Sequence, residues 1–249
     1  MSSIYGEWSA LAFILAGALV GGFVTGLTGF GTGLTALPLW LQTVEPLVAA
    51  QLVSAASVAG HFASLPATRT AIDWRRLAPL LIAGLLGVPI GVWILPWISL
   101  ATFKLTVGCL IVLYCTFMLL AAGRVRLAPG GRGTEAGIGL ASGILGGLAG
   151  LSGVLPTVWA ALKGWPKGER RSVFQVFNTT VLSAMLLVSL ARGLIDLRFV
   201  WALAVALPGT MIGARLGSLL YRHLDDRRFD RIVLLLLLLS GLGLVWWNR

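Results

Sequence analysis

The 249 residues are 57% hydrophobic and only 11% charged, far below the charged share of an average soluble domain, which excludes an ordinary water-soluble globule. The formal charge of +10 would suit a nucleic-acid partner, but the basic residues fall between apolar segments, where membrane topology accounts for them. The alternating strands of an outer-membrane barrel are absent, so the composition describes an all-α, polytopic membrane protein.

In chain order, the first apolar stretch covers 10–42 and is too long for one crossing. No basic residue precedes Arg69, so the stretch lacks the positive flank of a secretory signal and is expected to be retained. Spans of about 20 residues follow at 47–68, 77–98 and 101–123. A second over-long stretch, 134–163, precedes spans at 170–191, 199–221 and 230–248. Cys109 and Cys115 lie six apart in one predicted helix, on different faces, which argues against a disulfide or a metal pair.

Most arginine and lysine sits in linkers 69–76, 124–133, 163–171 and 222–231, which the positive-inside rule assigns to the cytoplasm. With 124–133 and 163–171 on one side, 134–163 must enter and return as a hairpin. The same logic makes 10–42 a hairpin, the alternative being a single crossing by every segment. Tryptophans 8, 40, 97, 246 and 247 fall at the expected outer interface and 74 and 165 at the inner one, as aromatic belts do.

The two long stretches resemble each other. "GGFVTGLTGFGTGL" (21–34) aligns without gaps to "SGILGGLAGLSGVL" (142–155), matching Gly22, Gly26 and Gly29 to Gly143, Gly147 and Gly150. Asp73 and Arg75 pair with Asp196 and Arg198 further on. The expected organisation is a first transmembrane repeat (1–123), a basic cytoplasmic linker (124–133) and a second repeat (134–249). With Asp73 inside and Asp196 outside, the repeats would be inverted, each a glycine-broken hairpin plus about three spanning helices, which is a transporter architecture.

Glycine weakens a helix by about 1 kcal/mol and proline by about 3, so "GLTGFGTGLTALPLW" (26–40) marks a break at membrane depth. Irregular backbone is tolerated there only inside protein or around a cavity. A half-helix starting near Thr32 would aim its positive end at the midplane. The break at Gly150–Gly153 would aim another from the opposite side, and two such ends make an anion site. The glycines at four-residue spacing, Gly22, Gly26, Gly143 and Gly147, equally suit close helix packing.

These features resemble the sulfite exporter TauE/SafE family of bacterial anion transporters. The resemblance covers nearly the whole chain and rests on the duplicated motif, "GLTGFGTGLTALPLW" and "GGLAGLSGVLPTVWAALKGWP", and on the linker "KGWPKGERRSVF". Thr32 interrupts the family's first glycine run, and Leu155 stands between Val154 and Pro156 in the second copy. The resemblance implies export of sulfite, a sulfonate such as sulfoacetate, or a related small organic anion across the inner membrane. It implies no enzyme activity.

The expected substrate-binding residues are Thr28, Gly29, Gly31, Thr32, Gly33, Gly150, Ser152, Gly153, Gln175 and Asn178. Gln51, Ser54, His61 and Arg215 form a secondary set, with Ser57 on the same helical face as the first two. Membrane amides usually face the bundle interior, whereas Arg215 suits snorkelling. Arg170 and Arg171 read as topology determinants, although an inner anion funnel needs such charges. No cofactor, metal or nucleic acid is expected. The partners are lipid and a small anion, and a homo-oligomer is compatible with both. Other readings are a carboxylate transporter or passive channel of the same fold, and a non-transporting assembly factor. The "GLSG" at 150–153 also allows an intramembrane serine protease, which would need a histidine base beside Ser152.

Overall fold

The computed structural model describes residues 2–64, 74–121, 131–165, 167–221 and 238. Among them the chain is helical throughout, with no strand. The helices are α1 (Ser2–Thr28), α2 (Thr32–Trp40), α3 (Pro46–Ser64), α4 (Trp74–Ile94), α5 (Leu100–Ala121), α6 (Arg132–Ala149), α7 (Val154–Leu162), α8 (Lys167–Ala191) and α9 (Leu197–Tyr221). A 3₁₀ turn, Leu95–Trp97, joins α4 to α5.

Six of these helices are long and apolar enough to cross a membrane: Trp8–Thr28, Pro46–Ser64, Leu77–Trp97, Leu100–Leu120, Glu169–Ala191 and Leu197–Tyr221. The protein is a multi-pass membrane protein. Apart from residue 238, the expected span at 230–248 lies outside the described residues, as do most of the basic linkers 69–76, 124–133 and 222–231 and Asp73. Ile82, Leu86, Leu113, Leu187 and Trp201 are exposed on the spans, as side chains facing lipid must be. Trp8, Trp74 and Trp97 are also exposed, but Trp40 is 0% exposed. The belt expectation for Trp40 is therefore corrected: its indole N–H donates to the carbonyl of Ile14 at 3.0 Å, inside the bundle.

Two helix crossings dominate the packing, α1 on α9 and α4 on α6. Apolar lipid supplies no hydrophobic drive between helices, so close backbone approach must hold them. A Cβ at Gly22 would lie 2.3 Å from the carbonyl oxygen of Thr210, and one at Gly26 2.0 Å from that of Ala214. In the other crossing a Cβ at Gly143 would lie 1.9 Å from the oxygen of Gly84, and one at Gly147 2.4 Å from that of Val88. The partner helices reciprocate, Gly213 and Gly217 against Leu19 and Phe23, and Gly87 and Gly91 against Leu140 and Ile144.

The two crossings share one contact pattern. Adding 121 takes residues 19, 22, 23 and 26 to 140, 143, 144 and 147, and adding 126 takes 84, 87, 88 and 91 to 210, 213, 214 and 217. This second step differs by three from the 123 that pairs Asp73 with Asp196. The step of 121 also takes Gly29, at φ 81°, to Gly150, at φ 68°.

Candidate anion site at two helix breaks

The first break begins where α1 ends, at Thr28. Gly29 and Gly31 have φ of 81° and 107°, a region where a Cβ is strained. The chain reverses there and α2 runs back along α1. Thr25 and Thr32 join their hydroxyls, the Thr32 N–H donates to Thr25 Oγ1 at 3.0 Å, and Trp40 reaches Ile14. Residues 10–42 thus form a hairpin with its tip inside the protein. Gly33 falls within α2, so the break itself is confined to Gly29–Gly31.

The second break runs from Gly150 to Gly153, between α6 and α7. Gly150 closes α6 in the left-handed conformation, its N–H bonded to the carbonyl of Gly146 at 2.9 Å. That is the usual way a helix end meets its last carbonyls.

Side chains from α3 and α8 cover the carbonyls that α1 leaves unpaired at the first break. Arg171 Nη2 donates to the Gly26 carbonyl at 2.8 Å. His61 Nε2 lies 3.0 Å from the Gly29 oxygen, and since a carbonyl only accepts, that nitrogen carries a proton. Asn178 Nδ2 approaches the same oxygen at 3.5 Å. His61 is held in turn: Thr179 Oγ1 sits 2.9 Å from its Nδ1, and Gln175 Nε2 donates to its carbonyl at 2.9 Å. The negative ends of the helix dipole are thereby masked, as cations and N–H donors at a helix C-terminus do.

The positive ends are left open. Among the described residues, the backbone N–H groups of Gly33 and Leu34 at the start of α2 have no hydrogen-bond partner. The same holds for Ser152 and Gly153 before α7. All four residues line one cavity, together with Phe30, Gly31, Ser57, His61, Gly150, Leu151, Val154, Asn178 and Leu182. Among the described residues, no carboxylate lines it. The cavity volume is about 10 Å³, room for about one water. Both breaks meet here: Ser152 Oγ donates to Asn178 Oδ1 at 2.7 Å.

The expected residues divide clearly. Gly31, Gly33, Gly150, Ser152, Gly153, Asn178 and His61 line the cavity, with Ser57 beside them. Gly29 lies behind it, its carbonyl covered. Thr28 turns its hydroxyl into the break, towards the carbonyls of Val24 and Phe30, and Thr32 is committed to Thr25. Gln175 is not among the lining residues and donates to the carbonyl of His61, which is. Gln51 donates to the carbonyl of Leu194 at 3.0 Å, and Ser54 bonds back to Ala50 at 2.9 Å. Arg215 is exposed on α9, outside the cavity wall.

Some partners carried no distinctive sequence signal. Thr179 was legible only as a neighbour of Asn178, whereas Thr25 precedes Thr28, Thr32 and Thr35 at three- and four-residue spacing, a signal that could have found it. Arg171 is 3% exposed, although it sits in a run of basic residues that looks solvated. Ser152 has an amide oxygen, not a histidine, as its hydrogen-bond acceptor, so no Ser–His pair forms there.

The model of the sulfite exporter TauE/SafE family matches residues 13–244 of this sequence. The chain belongs to the sulfite exporter TauE/SafE family. No curated protein and no solved structure matches it. As a TauE/SafE member it is a membrane protein of an anion-exporting family, and both helix breaks and their cavity fall within the matched residues.

Proposed function

We propose that this protein exports a small sulfur oxyanion or sulfonate, such as sulfite or sulfoacetate, across the bacterial inner membrane. The anion binds between the breaks, held by the N–H groups of Gly33, Leu34, Ser152 and Gly153 and by the side chain of Asn178. The observation that carries this reading is the convergence of two helix starts, with unpaired N–H groups, on one cavity that, among the described residues, lacks a carboxylate. Helix N-termini favour anions through both their free donors and their dipole.

The cavity is too small for such an anion in this conformation, so the breaks must separate to admit it. That favours alternating access over an open pore. The equivalent crossings of α1 on α9 and α4 on α6 support two inverted repeats whose relative rocking supplies the motion. With the cytoplasm negative, exit is favoured by about 2.3 kcal/mol per charge per 100 mV, so potential alone can drive export.

The test is efflux from proteoliposomes loaded with sulfite, sulfoacetate or acetate under an imposed potential. Saturable, potential-sensitive efflux of sulfite or sulfoacetate above acetate is expected. Equal efflux of all three, without saturation, would point to a passive channel. No efflux from folded, inserted protein would end the transport reading.

A further inference from the structure

Among the described residues, no carboxylate balances the positive charge of Arg171. The residue lies near the start of α8, within the apolar span Glu169–Ala191, and is 3% exposed. One Nη2 hydrogen goes to the Gly26 carbonyl, and the guanidinium carbon lies over the Tyr221 ring, 4.0 Å from its centroid. Nε and Nη1 are buried and have no hydrogen-bond partner. Whichever Nη2 hydrogen Gly26 takes, one edge of the guanidinium keeps two adjacent N–H donors free.

A buried cation with unmet donors is costly, and a bidentate oxyanion is the partner that best relieves it. The position fits a transported one. Arg171 packs against Gly29 from behind: a Cβ on that glycine would touch its Cγ at 3.1 Å and its carbonyl oxygen at 3.2 Å. The Gly29 carbonyl faces His61 and Asn178, both in the cavity wall. Arg171 precedes Asn178 by seven residues on α8, or about 10 Å along the helix axis.

We propose that Arg171 is a second anion-binding station, separated from the cavity by the Gly29 backbone, at which the exported oxyanion docks bidentately and supplies the missing counter-charge. The inference rests on the transport reading above. Tyr221, at the end of α9, covers the guanidinium in the closed arrangement, so the station opens when that end of α9 lifts. The ligand class is a small anion with at least two oxygens on one centre: sulfite, a sulfonate or a carboxylate.

The test measures KM and Vmax for sulfite and sulfoacetate efflux in wild-type, R171Q and R171K proteoliposomes, with Tm recorded for each protein. R171K keeps the charge and a donor for Gly26 but loses the planar fork. The expected result is a KM at least tenfold higher in R171Q and about fivefold higher in R171K, with R171K melting close to wild type. A merely structural cap would lower Tm and the amount of active protein and leave the KM of R171K unchanged. That outcome, or a folded R171Q with wild-type KM, overturns the inference while leaving the transport reading intact. If R171Q fails to fold, the KM of R171K decides. Wild-type protein that moves neither anion would overturn both.

Discussion

Asn178 and Ser152 are joined by a 2.7 Å hydrogen bond in which the serine hydroxyl donates to the amide oxygen. The amide nitrogen of Asn178 approaches the Gly29 carbonyl at 3.5 Å. One side chain on α8 therefore spans the two helix breaks, and its oxygen end accepts while its nitrogen end donates. Any separation of the breaks has to stretch or exchange this link.

Replacing Asn178 tests that role. N178A removes the link and is expected to lower efflux at least tenfold. N178D keeps the size and the acceptor for Ser152 but brings a negative charge into an anion site. Two like charges about 4 Å apart repel by about 4 kcal/mol at an effective dielectric of 20, so N178D is expected to cost at least 100-fold and to be worse than alanine. Efflux kinetics at equal reconstituted amounts check this; an active N178D would place the anion elsewhere.

The helix crossings separate glycines that must stay bare from those that need not. G26A sets a methyl 2.0 Å from the Ala214 carbonyl, and G143A sets one 1.9 Å from that of Gly84. Overpacking of this kind costs about 1–3 kcal/mol or more, and both variants should lose folded yield and melt well below wild type. Gly137, exposed on α6, has nothing within 4 Å of its would-be Cβ. G137A should gain about 0.5–1 kcal/mol from helix propensity and keep full transport. Thermal unfolding in detergent distinguishes the two groups.

Gly31 tests the backbone at the first break. Its φ of 107° and the 2.8 Å approach of Val24 Cγ1 both oppose a side chain. G31A should cost about 1–2 kcal/mol in conformational strain and displace the cavity wall, lowering Vmax more than it lowers Tm. A variant with wild-type kinetics would show that the local geometry at Gly31 is not required for transport.

His61 tests coupling. H61Q retains an N–H donor for the Gly29 carbonyl but cannot carry a proton across the cavity. If potential alone drives export, H61Q should keep efflux within about threefold of wild type, while H61A, which uncovers that carbonyl, should lose about tenfold. Loss of H61Q efflux under a potential, in folded protein, would show that the imidazole takes part in proton movement.

Hydropathy and glycine placement are local properties, and they determined a great deal. Helical spans follow from runs of apolar residues, and α3, α4, α5, α8 and α9 lie close to where those runs put them. The breaks follow from backbone preference: Gly29, Gly31 and Gly150 adopt positive φ, and α2 starts at Thr32, where the half-helix was expected. Only the tertiary structure decided which polar groups face the cavity. Hydroxyls and amides bond to whatever lies across the bundle, and their partners are distant in sequence: Gln51 to Leu194, Gln175 to His61, Arg171 to Gly26. Thr28 and Thr32 carry the polarity an anion site wants, but the reversal of the chain at the break uses their hydroxyls locally. Arg171 has the opposite history: in sequence it is one more cation of a linker, and packing against Gly29 and Tyr221 removes it from water.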